Sequence, residues 1–147
     1  MKFDPELFRN YMSGTVLDEL LCSYKGLPKG VNYMIIGDPG VGKTTIILDL
    51  LSNIRKYNTG VRVLFISAEM NEIDLAIYVQ RFPKFQDLDI LFIEANFDEE
   101  DNFHNLETLK STLEQGWDIV AIDSFYELQG IIKDEEIKRC DKAGTVD

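Results

Sequence analysis

The chain has 147 residues, 45% hydrophobic and 28% charged, enough for one domain burying roughly two-thirds of the surface its unfolded form exposes. With 26 acidic against 15 basic residues the formal net charge is −11. That disfavours nucleic acid as the main partner of this chain itself, because a basic patch that neutralises phosphates supplies most of such affinity. The tightest basic cluster is only Lys138-Arg139 with Lys142. No apolar run approaches the ~20 residues of a membrane span. Met1 to Glu6 has no basic-then-apolar signal pattern. Cys22 and Cys140 are too few for a disulfide framework and too far apart for a local zinc knuckle, so a reducing cytoplasm is the expected compartment.

In chain order, the first 25 residues read as one or two short helices, with Val16, Leu17, Leu20 and Leu21 expected to pack on a sheet. Val31 to Ile36, Val61 to Ser67, Ile90 to Ala95 and Ile119 to Ser124 read as buried strands, dense in β-branched and aromatic residues and bounded by turn signals. A glycine loop follows the first. It leads into a helix over Thr44 to Tyr57, apolar at Ile46, Ile47, Leu50, Leu51 and Ile54, which stops at Asn58-Thr59-Gly60. Asn71 can cap a helix running to about Phe82, with Glu72 and Asp74 in its first turn. Asp98 to Asp101 reads as a solvated acidic loop, without the ligand spacing of a calcium site. Asn105 can cap a third helix, with Leu106, Leu109 and Leu113 on one stripe and Gly116 at its end. Residues 125–147, including Ile131 to Ile137, read as a helix or an acidic loop. Strands alternating with helices, and apolar on both faces, predict a mostly parallel sheet in a three-layer α/β sandwich. The expected organisation is one domain: a helical lead-in over 1–30, a core over 31–124 and a C-terminal segment over 125–147.

Gly37-Asp38-Pro39-Gly40-Val41-Gly42-Lys43-Thr44, followed by Thr45, fits the pattern G-x-x-x-x-G-K-[ST] in full. The chemistry requires those residue types. After a strand the chain must wrap a phosphate with its N–H groups inward, and glycines permit the unusual backbone angles and leave room for oxygen atoms. The loop feeds a helix whose positive dipole end faces the anion. Lys43 reaches the β- and γ-phosphates, and the Thr44 hydroxyl is placed to bind magnesium. A chance match in a chain of this length arises on the order of once in two hundred, and the flanking strand and helix make it rarer. A magnesium-bound nucleoside triphosphate is the expected ligand.

Ile119-Val120-Ala121-Ile122-Asp123 is an apolar run closing on an aspartate. A buried strand can deliver that carboxylate beside the phosphate loop, where it holds magnesium or its water; alternatively it caps the next turn. Ser124 is a candidate hydrogen-bond donor next to it. Phe65-Ile66-Ser67-Ala68-Glu69-Met70 likewise ends a strand on a carboxylate. Glu69 could orient and deprotonate an attacking water, or it could cap the following helix. The chemistry alone leaves both open.

Together these segments resemble the RecA-like ATPases, nearest to the RadA, DnaB and KaiC group. Gly14-Thr15-Val16-Leu17-Asp18 and Gly26-Leu27-Pro28-Lys29-Gly30 are similar to that family's lead-in, and Gly37 to Thr45 to its phosphate loop. Glu69-Met70 resembles the replicative helicases, and Asp123-Ser124 the recombinases. The resemblance covers roughly Gly14 to Gly130. It implies ATP and Mg²⁺ as ligands, Lys43 and Glu69 as catalytic residues, Thr44 and Asp123 as metal ligands, and a homo-oligomer. There are departures. No four-cysteine zinc module and no Lys-Asn-Arg-Phe-Gly motif is present, so no arginine finger can be assigned. The family places a further strand between the aspartate strand and the loop strand, and its DNA-contacting loops follow. The sequence after Phe125 offers neither, so the fold is expected to be incomplete at its C-terminus.

Two functions follow as expectations. One is an ATP-hydrolysing core of an oligomeric motor in DNA recombination, repair or unwinding, touching DNA through regions outside this chain. The other is a nucleotide-dependent switch or assembly protein with little hydrolysis and no DNA contact. A small-molecule kinase fits less well, because Arg9, Arg55, Arg62, Arg81 and Arg139 form no lid cluster, and a GTPase lacks its Asn-Lys-x-Asp guanine-reading motif.

Overall fold

A computed structural model of the chain describes Lys2, Asp4, Glu6, residues 9–95 and residues 104–145. The acidic stretch Asp98 to Asp101 lies outside the described residues. The chain divides into two compact units. One comprises residues 1–62 with 84–88, the other residues 63–83 with 89–147.

The first unit is built on helix α2, Lys43–Tyr57. Its Leu48, Leu51 and Ile54 are buried, as is Phe85 in a 3-10 turn over Pro83–Asp87. Ser52 Oγ donates to the Lys84 carbonyl at 3.2 Å, and the Lys84 ammonium pairs with Asp49, so polar contacts fasten that turn to the helix. Arg55 and Lys56 in the last turn complement the helix dipole.

Among its described residues the lead-in forms one five-residue α-helix, α1 (Leu17–Leu21), and a polar knot. Leu17 and Leu21 are half-buried, whereas Val16 is 72% and Leu20 76% exposed, contrary to the expected apolar packing. Order comes instead from Asp18. Its carboxylate accepts hydrogen bonds from Ser13 N and Oγ, both 2.7 Å, and from Gly14 N at 2.8 Å. Tyr11 and Leu27 exchange backbone bonds of 2.8 Å, and Asn58 Nδ2 donates to the Met12 carbonyl at 2.7 Å. Gly14, at φ +73°, lies so close to Tyr57 that an added Cβ would sit 2.9 Å from its ring.

Val31 to Ile36 is not a strand. Met34 is 79% and Ile36 84% exposed, and the segment joins no ladder among the described residues. Apolar β-branched residues suit a strand, but a strand exists only when a neighbour takes its N–H and C=O groups.

The second unit holds a parallel sheet of β1 (Val63–Ser67), β2 (Asp89–Phe92) and β3 (Ile119–Asp123), in the order β2-β1-β3. All five residues of the central β1 are buried, as its apolar run predicts. Leu64 and Ile66 form a core with Ile93 and Leu128, against which Leu109, Trp117, Ile122, Ile131 and Ile132 pack. Helix α3, Glu72–Arg81, starts as expected: Asn71 accepts from Asp74 N at 2.9 Å, and Asp74 answers the Asn71 N–H. Helix α4, Asn105–Leu113, differs from expectation. Asn105 is its first helical residue rather than its cap, and its Nδ2 donates to the Glu94 carbonyl at 2.7 Å. Glu135 supplies the missing acceptor from α5 (Phe125–Thr145), taking the Leu106 N–H at 3.4 Å. Residues 125–145 are thus helical rather than an acidic loop.

Candidate nucleotide-binding site

Within the first unit the loop Gly37 to Thr45 meets the N-terminus of α2. Gly40 and Gly42 adopt φ of +80° and +98°, and Gly42 is the residue from which the helix starts. A side chain there would be strained by its backbone angle. An added Cβ at either glycine would meet nothing within 4 Å, so the loop has open space beside it. At Gly37 the restriction is steric, since a Cβ would lie 2.9 Å from Val41 Cγ2. Asp38 accepts the Val41 N–H at 3.4 Å, closing the turn that carries Pro39 and Gly40. The Lys43 ammonium folds over its own loop, donating to the Gly37 carbonyl and, at 3.2 Å, to that of Asp38. Thr44 and Thr45 are half-buried in the first turn, which contains no acidic residue to oppose an anion.

The two candidate carboxylates belong to the second unit, at the C-terminal ends of adjacent strands. β1 and β3 run in register with Ser67 opposite Asp123, and the Ala68 N–H donates to the Asp123 carbonyl at 2.8 Å. Asp123 is 8% exposed, and the peptide joining it to Ser124 is cis. The Ser124 hydroxyl accepts the Glu127 N–H at 3.3 Å and so caps α5. Glu69 is exposed in the turn Ser67 to Met70. The cap of α3 is Asn71, in a reciprocal pair with Asp74, which leaves the Glu69 carboxylate outside the capping box.

Sequence reasoning passed over the Asp18 knot and the hydroxyl of Ser67. The first had a signal in Ser13-Gly14-Thr15 ahead of Asp18, a run of potential donors. The second had one in a lone hydroxyl ending the apolar stretch Val63 to Ile66.

A glycine loop opening a helix, and a parallel strand ending on a buried carboxylate, define a P-loop nucleotide-binding protein. The family model described as ATPase: KaiC matches residues 13–140, and the chain belongs to that family of RecA-like, ATP-binding P-loop ATPases. It is similar to the transcription termination factor Rho of Streptobacillus moniliformis, 29% identical over 115 residues, covering 74% of this chain and 26% of that protein. It is also similar to the DNA repair protein RadA of Mycolicibacterium smegmatis, 34% identical over 79 residues, covering 53% of this chain and 16% of that protein. The chain therefore spans only a minor part of either relative's length. No solved structure matches it. Among the described residues no helix is long and apolar enough to cross a membrane.

Proposed function

We propose that this chain binds ATP with Mg²⁺ at Gly37 to Thr45 and hydrolyses it as the core of an oligomeric motor acting in DNA recombination, repair or unwinding. The observation that carries the reading is the loop itself: Gly40 and Gly42 in left-handed conformation, with open space beside them, at the start of α2. That arrangement suits phosphate oxygens. The donor set suits magnesium, which takes hard oxygens, one or two carboxylates and the phosphates themselves, rather than a cage of side chains. Thr44 and Asp123 would hold it, and when bound it neutralises charge on the phosphates.

The remaining roles fall to the chain's own groups. Lys43 exchanges the carbonyls of Gly37 and Asp38 for phosphate oxygens. Glu69 orients the attacking water and accepts its proton. A neighbouring copy in the full-length protein supplies the cation that stabilises charge in the transition state. One relative is a DNA repair protein and the other a transcription termination factor, which supports a nucleic-acid motor. A second reading, a nucleotide-dependent switch with little turnover and no DNA contact, is favoured by the net charge of −11.

Steady-state ATP hydrolysis by the full-length protein, with and without single-stranded DNA at low salt, tests the choice. Turnover stimulated by DNA supports the motor. ATP-dependent assembly without turnover, and indifferent to DNA, favours the switch.

A further inference from the structure

We propose that Ser67 is the positioning residue for Glu69, an inference that rests on reading Glu69 as the group that orients the attacking water. Ser67 ends β1 and is completely buried, and its Oγ donates to the Met70 carbonyl at 2.8 Å. That bond ties the entry of the turn to its exit, and Glu69 lies between. The backbone before Glu69 is held twice more. The Ser67 carbonyl accepts the Ile93 N–H at 2.9 Å, and the Ala68 N–H donates to the Asp123 carbonyl at 2.8 Å. Immediately after Met70, Asn71 locks the start of α3 through its reciprocal pair with Asp74. Glu69 is therefore an exposed side chain on a three-residue span, 68–70, pinned to the sheet at one end and to a helix cap at the other.

Of these fastenings the Ser67 hydroxyl is the one that crosses Glu69 directly. The others survive substitution at position 67, because they use backbone groups or Asn71. An alanine at 67 would keep β1 paired and buried and would release only the Met70 carbonyl. The turn could then sample other backbone angles, and the Glu69 carboxylate would spread over a wider volume. Misplacing a water-orienting group by about 1 Å can lower a chemical rate up to about a hundredfold without altering substrate binding. Ser67 touches no substrate in this account. It acts through the turn.

The test compares Ser67→Ala, Ser67→Cys, Ser67→Thr and Glu69→Gln in the full-length protein, reading single-turnover ATP hydrolysis, ATP affinity and thermal midpoint. The proposal predicts that Ser67→Ala slows hydrolysis on the order of tenfold while ATP affinity stays within about twofold. Ser67→Thr, which keeps the hydroxyl, restores most of the rate. Ser67→Cys keeps the volume with a weaker donor and falls between, which preserves the comparison if the alanine variant folds poorly. Wild-type hydrolysis by Ser67→Ala beside a slow Glu69→Gln overturns the proposal and leaves Glu69 its role. Wild-type hydrolysis by Glu69→Gln removes that role, and the proposal with it. A loss of ATP affinity that matches the loss of rate in Ser67→Ala also overturns it, because the hydroxyl would then support the fold alone.

Discussion

Asp18 is a buried carboxylate on which two effects oppose each other. Burial raises its pKa, and the hydrogen bonds from Ser13, Gly14 and Thr15 more than offset that, holding it below the ordinary aspartate value. A carboxyl whose folded pKa is depressed stabilises the fold fully above its unfolded value of about 3.9, and that stabilisation is lost as pH falls through the folded value. Asp18→Asn, which cannot accept from every donor, should cost about 1–3 kcal/mol at neutral pH. Its thermal midpoint should also fall less steeply than the wild type's on acidification below pH ~4. Parallel acid limbs in the two proteins would contradict this. At Asp123 the expected signature is metal dependence: Asp123→Ala should weaken ATP binding more with magnesium present than with it chelated, and equal losses would mean a purely structural aspartate. The phosphate loop was legible because its chemistry is local, written in consecutive residues. The Asp18 knot was harder to see, because its value comes from how many donors converge on one carboxylate.

Elements were legible where their determinants are local in sequence. Asn71 and Asp74 fix the start of α3 through bonds spanning three residues, so Asn71→Ala should lower stability by about 1 kcal/mol. An unchanged midpoint in a thermal scan would show that packing alone sets that helix boundary. The start of α4 differs from expectation because Asn105 is inside the helix and the N–H of Leu106 in its first turn goes to Glu135, 29 residues away, a partner no local pattern reveals. The three sheet strands lie within three residues of their expected bounds, since each is a short apolar run ended by turn residues, although only β1 is buried throughout and β2 and β3 are partly exposed rather than buried as expected. Val31 to Ile36 carries the same pattern without forming a strand. Strand character is a property of a pair, and one segment's residues do not reveal whether its partner exists.

For the whole molecule, charge and the source of the catalytic cation decide what the 147 residues do alone. A net charge of −11 opposes approach to a polyanion. No arginine finger can be assigned in the chain, and such a cation contributes a thousandfold or more in related phosphoryl transfers, on the order of 10³–10⁵. The isolated chain should therefore bind ATP yet hydrolyse it slowly and bind single-stranded DNA weakly. DNA-stimulated turnover near ~10 per second by this chain alone would contradict that. Every proposed role depends on Gly37 to Thr45 being the ATP site. The most direct test is calorimetric titration of magnesium–ATP into the wild type and Lys43→Ala, with circular dichroism confirming that both are folded. Saturable binding is expected for the wild type and none for the folded variant; equal affinity in the two would rule out the loop as the ATP site.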